Sequence, residues 1–259
     1  MKTIFKASLL AVATSLMLTA NYTSAFAAHS SNSSAYYDVK KAGDYVLAFC
    51  GANEAGYTMP KTRDCKINEV FCKMGADCTN YVSQALYYGG YKMEGSPSIT
   101  FRIKNRIWGS NCGYYDDDEW FYYKLKDNFD VSHDTWSSTW SRVEGKKEAG
   151  LYNYLTRKSW FNDPLCSCDS NLEYCDDFAK KYNVKRGDII QIDFSSDGSY
   201  DHSTFVWCTE PEIRLCYHSN YVWAKKLSEI EKSLNNGAQK PSYRVIHTTD
   251  HAKTTSRIW

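Results

Sequence analysis

Residues 75–90 read GADCTNYVSQALYYGG, and the reading of this stretch decides the fold. From Cys78 onward, Tyr81, Val82, Ala85 and Leu86 recur at helical spacing, which predicts a helix with one buried stripe. Asp77 or Thr79 is placed to cap its start, and Gly89-Gly90 to stop it. Cys78 therefore opens a first helical turn, where unpaired N–H groups and the helix macrodipole favour negative charge. A cysteine nucleophile acts as its thiolate, so this is a position for a reactive thiol as much as for a structural one. The Cys78 N–H would also point toward an oxyanion formed on an attacked carbonyl.

Upstream, YYDVKKAGDYVLAFC (residues 36–50) places Val39, Ala42, Tyr45, Val46 and Phe49 on one face of a helix of about four turns, ended by Gly51. Residues 51–76 read as a loop region. Downstream, residues 91–135 show no clear period, and the acidic run Asp116 to Glu119 lacks the spacing of an EF-hand loop and reads as solvated. Residues 137–156 read as a short helix or turn followed by another helix, and residues 161–176 as a loop rich in Cys, Asp and Asn. The period then changes. IIQIDF, HSTFVWC, LCYHSN and SYRVIHT read as strands separated by turns, with a helix over 225–236. Helices first and an antiparallel meander second make an α+β fold, with no internal repeat and no linker.

The chain's 259 residues suffice for one sizeable core. Lys2 and Lys6 precede an apolar run, Leu9 to Leu18, and Ala25-Phe26-Ala27 forms a small-x-small cleavage site. That is the pattern of a signal peptide over residues 1–27, followed by a polar tether, 28–35, and a single domain over 36–259. The expectation is a secreted protein without a membrane anchor, since no later stretch offers about twenty apolar residues. Losing Lys2 and Lys6 reduces 31 basic residues to 29 beside 30 acidic ones, so nothing suggests a nucleic-acid footprint. The 21 Tyr and 8 Trp are numerous enough that some should be exposed, where they could line a groove.

Ten cysteines are present, at 50, 65, 72, 78, 112, 166, 168, 175, 208 and 216. Export would permit disulfides. With Cys78 held out as a thiol, nine remain, so either a second thiol is free or Cys78 is itself bridged. Paired C-x2-4-C knuckles are absent, which argues against zinc.

A reactive thiolate needs a histidine in hydrogen-bond reach and a polar residue to orient that histidine. His29 falls in the tether, His133 in a polar loop, and His247 and His251 near the C-terminus. His202 heads the strand HSTFVWC, and His218 and Asn220 share a face of the next strand by alternation. If Cys208 and Cys216 lie opposite each other across that hairpin, Asn220 comes nearer to His202, and His218 lies further along.

The stretch GADCTNYVSQALYYGG resembles the D-C-T-N-F-V-S-Q…G-G signature of the putative amidase domain family, in the papain-like group of NlpC-type and CHAP cell-wall enzymes. YYDVKKAGDYVLAFCGANEAGY, STWSRV, GDIIQIDF with DHSTFVW, and CYHSN resemble further family segments in the same order. The resemblance spans roughly residues 36–248. It implies a papain-like α+β fold, with N-terminal helices packed on an antiparallel meander. It makes Cys78 the nucleophile, His202 the general base and His218 the third polar member, whereas the hairpin register favours Asn220 for that place. Trp140 and Gln191 also match family positions. The implied chemistry is acyl transfer through a Cys78 thioester, with no metal or organic cofactor. Together with export, the resemblance implies peptidoglycan as substrate. A secreted protease acting on proteins, or a catalytically silent binding module of the same fold, are the alternatives.

Overall fold

The computed structural model describes residues 37–49, 68, 71, 74–100, 112–114 (backbone only), 119–124, 134–144, 149–156, 166–218, 222–234 and 240–248. The chain divides into two units, Met1–Ser34 and Ala35–Trp259, and every described residue belongs to the second. The expected signal peptide and tether lie outside the described residues, as do Asn220, His29, His133 and His251.

Both expected N-terminal helices form, α1 over Val39–Phe49 and α2 over Cys78–Tyr88. Gly89 and Gly90 end α2, and Gly90 turns the chain at a φ of 108°, where a side chain would be strained. Gly89 must stay bare for another reason. A Cβ there would lie 2.5 Å from the Tyr37 ring, in the segment that leads into α1.

Three short strands follow, β1 (Cys112–Tyr114), β2 (Tyr122–Tyr123) and β3 (Thr135–Ser137), in a small sheet of order β1-β3-β2. The short helices α3 (Ser138–Ser141) and α4 (Leu151–Thr156) match the expected pair. The main sheet contains β4 (Ser167–Leu172), β5 (Ile189–Asp193), β6 (His202–Cys208), β7 (Arg214–Tyr217), β8 (Val222–Lys226) and β9 (Ser242–His247). Its order is β4-β9-β5-β6-β7-β8, with every neighbouring pair antiparallel. Helices α5 (Phe178–Lys181) and α6 (Leu227–Leu234) complete the described elements. The architecture is α+β, as expected.

Apolar side chains of the sheet divide between its two faces. Ile189, Phe205, Cys216 and Ile246 join Val82, Leu86, Trp120 and Trp140 in a core beneath α1 and α2. Ile190, Ile192, Val206, Leu215 and Val245 face the other way, against Phe178 of α5 and Leu227 and Ile230 of α6.

Three expectations need correction. Residues 161–176 were expected to be loop, yet β4 forms there on the last strand, Cys168 pairing with Ile246. The helix expected over 225–236 begins at Leu227, because β8 extends through Lys226. The hairpin register differs as well. Cys216 pairs with Phe205, and Cys208 with Arg214 across a bulge. Against a Cys208–Cys216 pairing, the Phe205–Cys216 side of the bulge is offset by three, an odd number, so there it reverses which β6 side chains share a face with which β7 side chains.

His247 ties the end of β9 to its surroundings. Its Nε2 donates to Asp169 Oδ2 at 3.2 Å, and its Nδ1 lies 3.4 Å from Asp188 Oδ2. Those carboxylates, Asp188 foremost, raise the His247 pKa above 6.5 against the opposing effect of burial. A raised folded pKa gives stability that is complete below the unfolded value of 6.5 and lost as pH rises through the folded one. The melting temperature of the wild type should therefore fall as pH rises above 6.5, and His247→Gln should flatten that limb. Parallel Tm-against-pH curves for the two proteins would show that the pairing contributes nothing.

Candidate active site

The D-C-T-N run at the start of α2 is fastened at three of its four residues. Asp77 Oδ2 accepts a 2.7 Å hydrogen bond from His218 Nδ1, while its Oδ1 accepts from Asn80 Nδ2 at 2.7 Å and from the Met74 N–H at 3.1 Å. Thr79 Oγ1 donates to Ser203 Oγ at 3.0 Å, joining α2 to the head of β6. Asn80 Oδ1 accepts from Trp140 Nε1 at 2.7 Å, and the Trp140 carbonyl accepts from Ser83 at 2.8 Å. Trp140 thereby locks α3 to α2. Each such bond contributes about 1 kcal/mol net, and more when one partner is charged.

Cys78 is the fourth. Its sulfur is a free thiol, 4 % exposed, and its one neighbour in hydrogen-bond range among the described residues is Thr79 Oγ1 at 3.8 Å. Val143 and Tyr200 close around it as a small apolar cluster separate from the two main cores. Asp77 occupies the N-cap position but makes no capping bond with its side chain, since His218, Asn80 and Met74 occupy the carboxylate. Cys168, Cys175 and Cys208 are free thiols too, at half-buried positions.

The two histidines read from the sequence lie on opposite faces of the sheet. His218 directly follows β7 on the helix side, its ring stacked on Tyr81 of α2 with centroids 3.9 Å apart. Its Nε2 donates to the Phe49 carbonyl, so both nitrogens are committed to acceptors. His202 pairs with Ile192 and points to the far face. There its ring meets Tyr217 edge-on at 4.7 Å and lies 5.9 Å from Phe194. Its Nε2 is buried without a hydrogen-bond partner. Burial alone pushes its pKa down from 6.5 to about 4, so the ring is neutral at neutral pH. Cys78 and His202 are each one residue from the Thr79–Ser203 contact, so their backbones are close while their side chains diverge. The structure joins His218 to Asp77 and brings neither ring onto the sulfur.

Gln191 and three residues that sequence reasoning missed, Arg244, Glu144 and Tyr200, form a hydrogen-bonded network of which Tyr200 packs against Cys78. Gln191 Nε2 donates to Ser203 Oγ at 3.1 Å, and its Oε1 accepts from Arg244 Nη1 at 3.1 Å. Arg244 also donates to Glu144, and Glu144 accepts from the Tyr200 N–H. In the sequence, SYRVIHT shows Arg244 only as a polar residue at an alternating strand position, with nothing to connect it to Cys78. A cavity of about 190 Å³ lies between residues 174–180 and 209–213, with Leu227 and Ser228, and is lined by none of these residues. Among the described residues, no cluster of His, Cys, Asp and Glu is placed to hold a metal ion, and no helix is long and apolar enough to cross a membrane.

The profile of the putative amidase domain family matches residues 36–244, and the chain belongs to that family. Membership points to a hydrolase acting on an amide. Comparisons with curated proteins and with solved structures return no match.

A buried neutral histidine opposes folding in acid. The unfolded ring takes its proton near 6.5 and the folded one only near 4, so stability falls as pH drops between these values. His202→Gln should lose less stability than the wild type over that interval in chemical denaturation. An identical loss in both proteins would assign the acid sensitivity elsewhere.

Proposed function

We propose that the protein is a secreted cysteine amidase or peptidase in which Cys78 forms a thioester with the acyl part of an amide. The observation that carries this reading is a free thiol on the first residue of α2, at a helix start that no side chain caps. First-turn N–H groups and the helix dipole suit the oxyanion of a tetrahedral intermediate. Of the two histidines beside α2 and β6, His202 is the one fit to take a proton, being neutral with an unengaged Nε2. His218, held by Asp77 and Phe49, is the orienting member. Transfer from the sulfur to His202 requires the head of β6 to turn its ring from the far face toward Cys78, a loop-end rearrangement of the kind that often gates catalysis. His202 then protonates the leaving amine, and water hydrolyses the thioester with His202 as base.

The resemblance of the D-C-T-N segment to cell-wall enzymes, and the signal-like residues 1–27, support peptidoglycan as the substrate. Digestion of sacculi should release new amino groups or soluble muropeptides, while casein stays intact; the converse result would make the protein a protease. The silent-module reading draws on one observation, the 4 % exposure of Cys78 with no imidazole at its sulfur.

Cys78→Ala should lower turnover at least about a thousandfold with the fold retained. His202→Ala should do nearly the same. The acid limb of kcat/KM should lie near the His202 value of about 4 and not near 6.5. Full activity in Cys78→Ala sinks the cysteine mechanism. No activity on any amide, with Cys78 inert to alkylation, establishes the binding module.

A further inference from the structure

Val143 and Tyr200, which close over the Cys78 sulfur, both come from connections and not from strands or helices. Side chains on such segments hold a fixed place only when something pins them. Here the pin is Arg244, on β9 opposite Gln191. Its guanidinium lies 3.6 Å from the Tyr200 ring centroid and 3.6 Å from that of Tyr152. In its plane, Nη1 donates to Glu144 Oε2 at 2.8 Å and to Gln191 Oε1 at 3.1 Å, and Nε donates to Ser170 Oγ at 3.2 Å. Glu144 in turn accepts from the Tyr200 N–H at 2.9 Å, so one carboxylate holds both the arginine and the backbone of the ring that the arginine stacks on. The Tyr200 hydroxyl accepts from the Asn171 N–H at 3.0 Å and donates to the Tyr243 carbonyl at 3.3 Å. Val143 directly precedes Glu144, and its carbonyl accepts from Gln191 Nε2 at 3.5 Å. A planar cation between two rings, with its edges taken by a carboxylate and an amide, is a geometry that arginine supplies and lysine does not.

We infer that Arg244 is a positioning residue for the Cys78 site. Through Glu144 and Tyr200 it holds the wall that covers the sulfur, and so sets both access to the thiol and the orientation of the acyl group that reaches it. The catalytic consequence rests on Cys78 being the nucleophile; the control of access does not. Arg244 is 6 % exposed, and its Nε and Nη1 donate to protein acceptors, so it acts on the site through Tyr200.

The test is site-resolved alkylation of the folded protein with iodoacetamide, read by mass spectrometry, beside steady-state kinetics. Arg244→Lys and Glu144→Gln should each speed labelling of Cys78 about tenfold, the effect of losing roughly one charged hydrogen bond from the wall. Labelling of Cys216, buried in the main core, should not change, because global opening would raise both. Tyr200→Ala removes the wall itself, so adding Arg244→Lys to it should give no further increase; two changes that act through one element are not additive. In turnover, kcat should fall in Arg244→Lys with KM changed less, since the acyl group loses orientation more than binding. Unchanged Cys78 labelling in folded Arg244→Lys and Glu144→Gln, or an undiminished increase in the Tyr200→Ala background, overturns the inference. If Arg244→Lys does not fold, Glu144→Gln and Tyr200→Ala decide it alone. Labelling needs no turnover, so an inactive protein with a loosened wall refutes the amidase reading and leaves this one standing.

Discussion

The 3.0 Å hydrogen bond from Thr79 to Ser203 is the contact on which the rest of the site depends. It joins the first turn of α2 to the head of β6, both fully buried, where a lost partner would leave a polar group without water. Ser203 is also held by Gln191, and Gln191 by Arg244, so the bond continues as a polar row across β6, β5 and β9. On the β7 side of the row, Asp77 and His218 make a second tie between the same helix end and the sheet. Two ties in different directions fix the position of a helix end as one could not.

Within that frame the four residues Asp77, Cys78, Thr79 and Asn80 divide the work. Three have partners and hold the helix to β7, β6 and α3; the thiol is left with no tie of its own. The three histidines of the sheet are equally distinct. His247 has its pKa raised by two carboxylates, His218 has both nitrogens engaged, and His202 is neutral in an apolar setting. The same side chain thus sits in three different environments, because its neighbours differ in charge and hydrogen-bonding capacity. Of His218 and His202, only His202 leaves a nitrogen for proton transfer.

Much of this was legible in the residues. The spacing of Tyr81, Val82, Ala85 and Leu86 and the Gly89-Gly90 stop located α2 to within a residue, because a helix is built from contacts three and four positions apart. β4 was hidden because its residues are polar and mostly exposed, and it becomes a strand by pairing with β9, more than seventy residues later in the chain. The β6–β7 register was hidden for a related reason. A bulge between Val206 and Cys208 inserts a residue that no alternation pattern marks, and it changes which side chains share a face.

The sequence by itself determined the α+β class, the helix that begins at Cys78 and the candidacy of that thiol, since each follows from neighbours along the chain. Tertiary structure alone decided that His218 and not His202 lies on the helix side, and that Tyr200, held by Arg244 and Glu144, packs against Cys78. Those outcomes depend on strand register and on ring and guanidinium packing between segments as much as a hundred residues apart, Glu144 and Arg244 among them. Such contacts are settled when the whole sheet closes, by which side chains fill the space together, and short-range patterns carry no record of them.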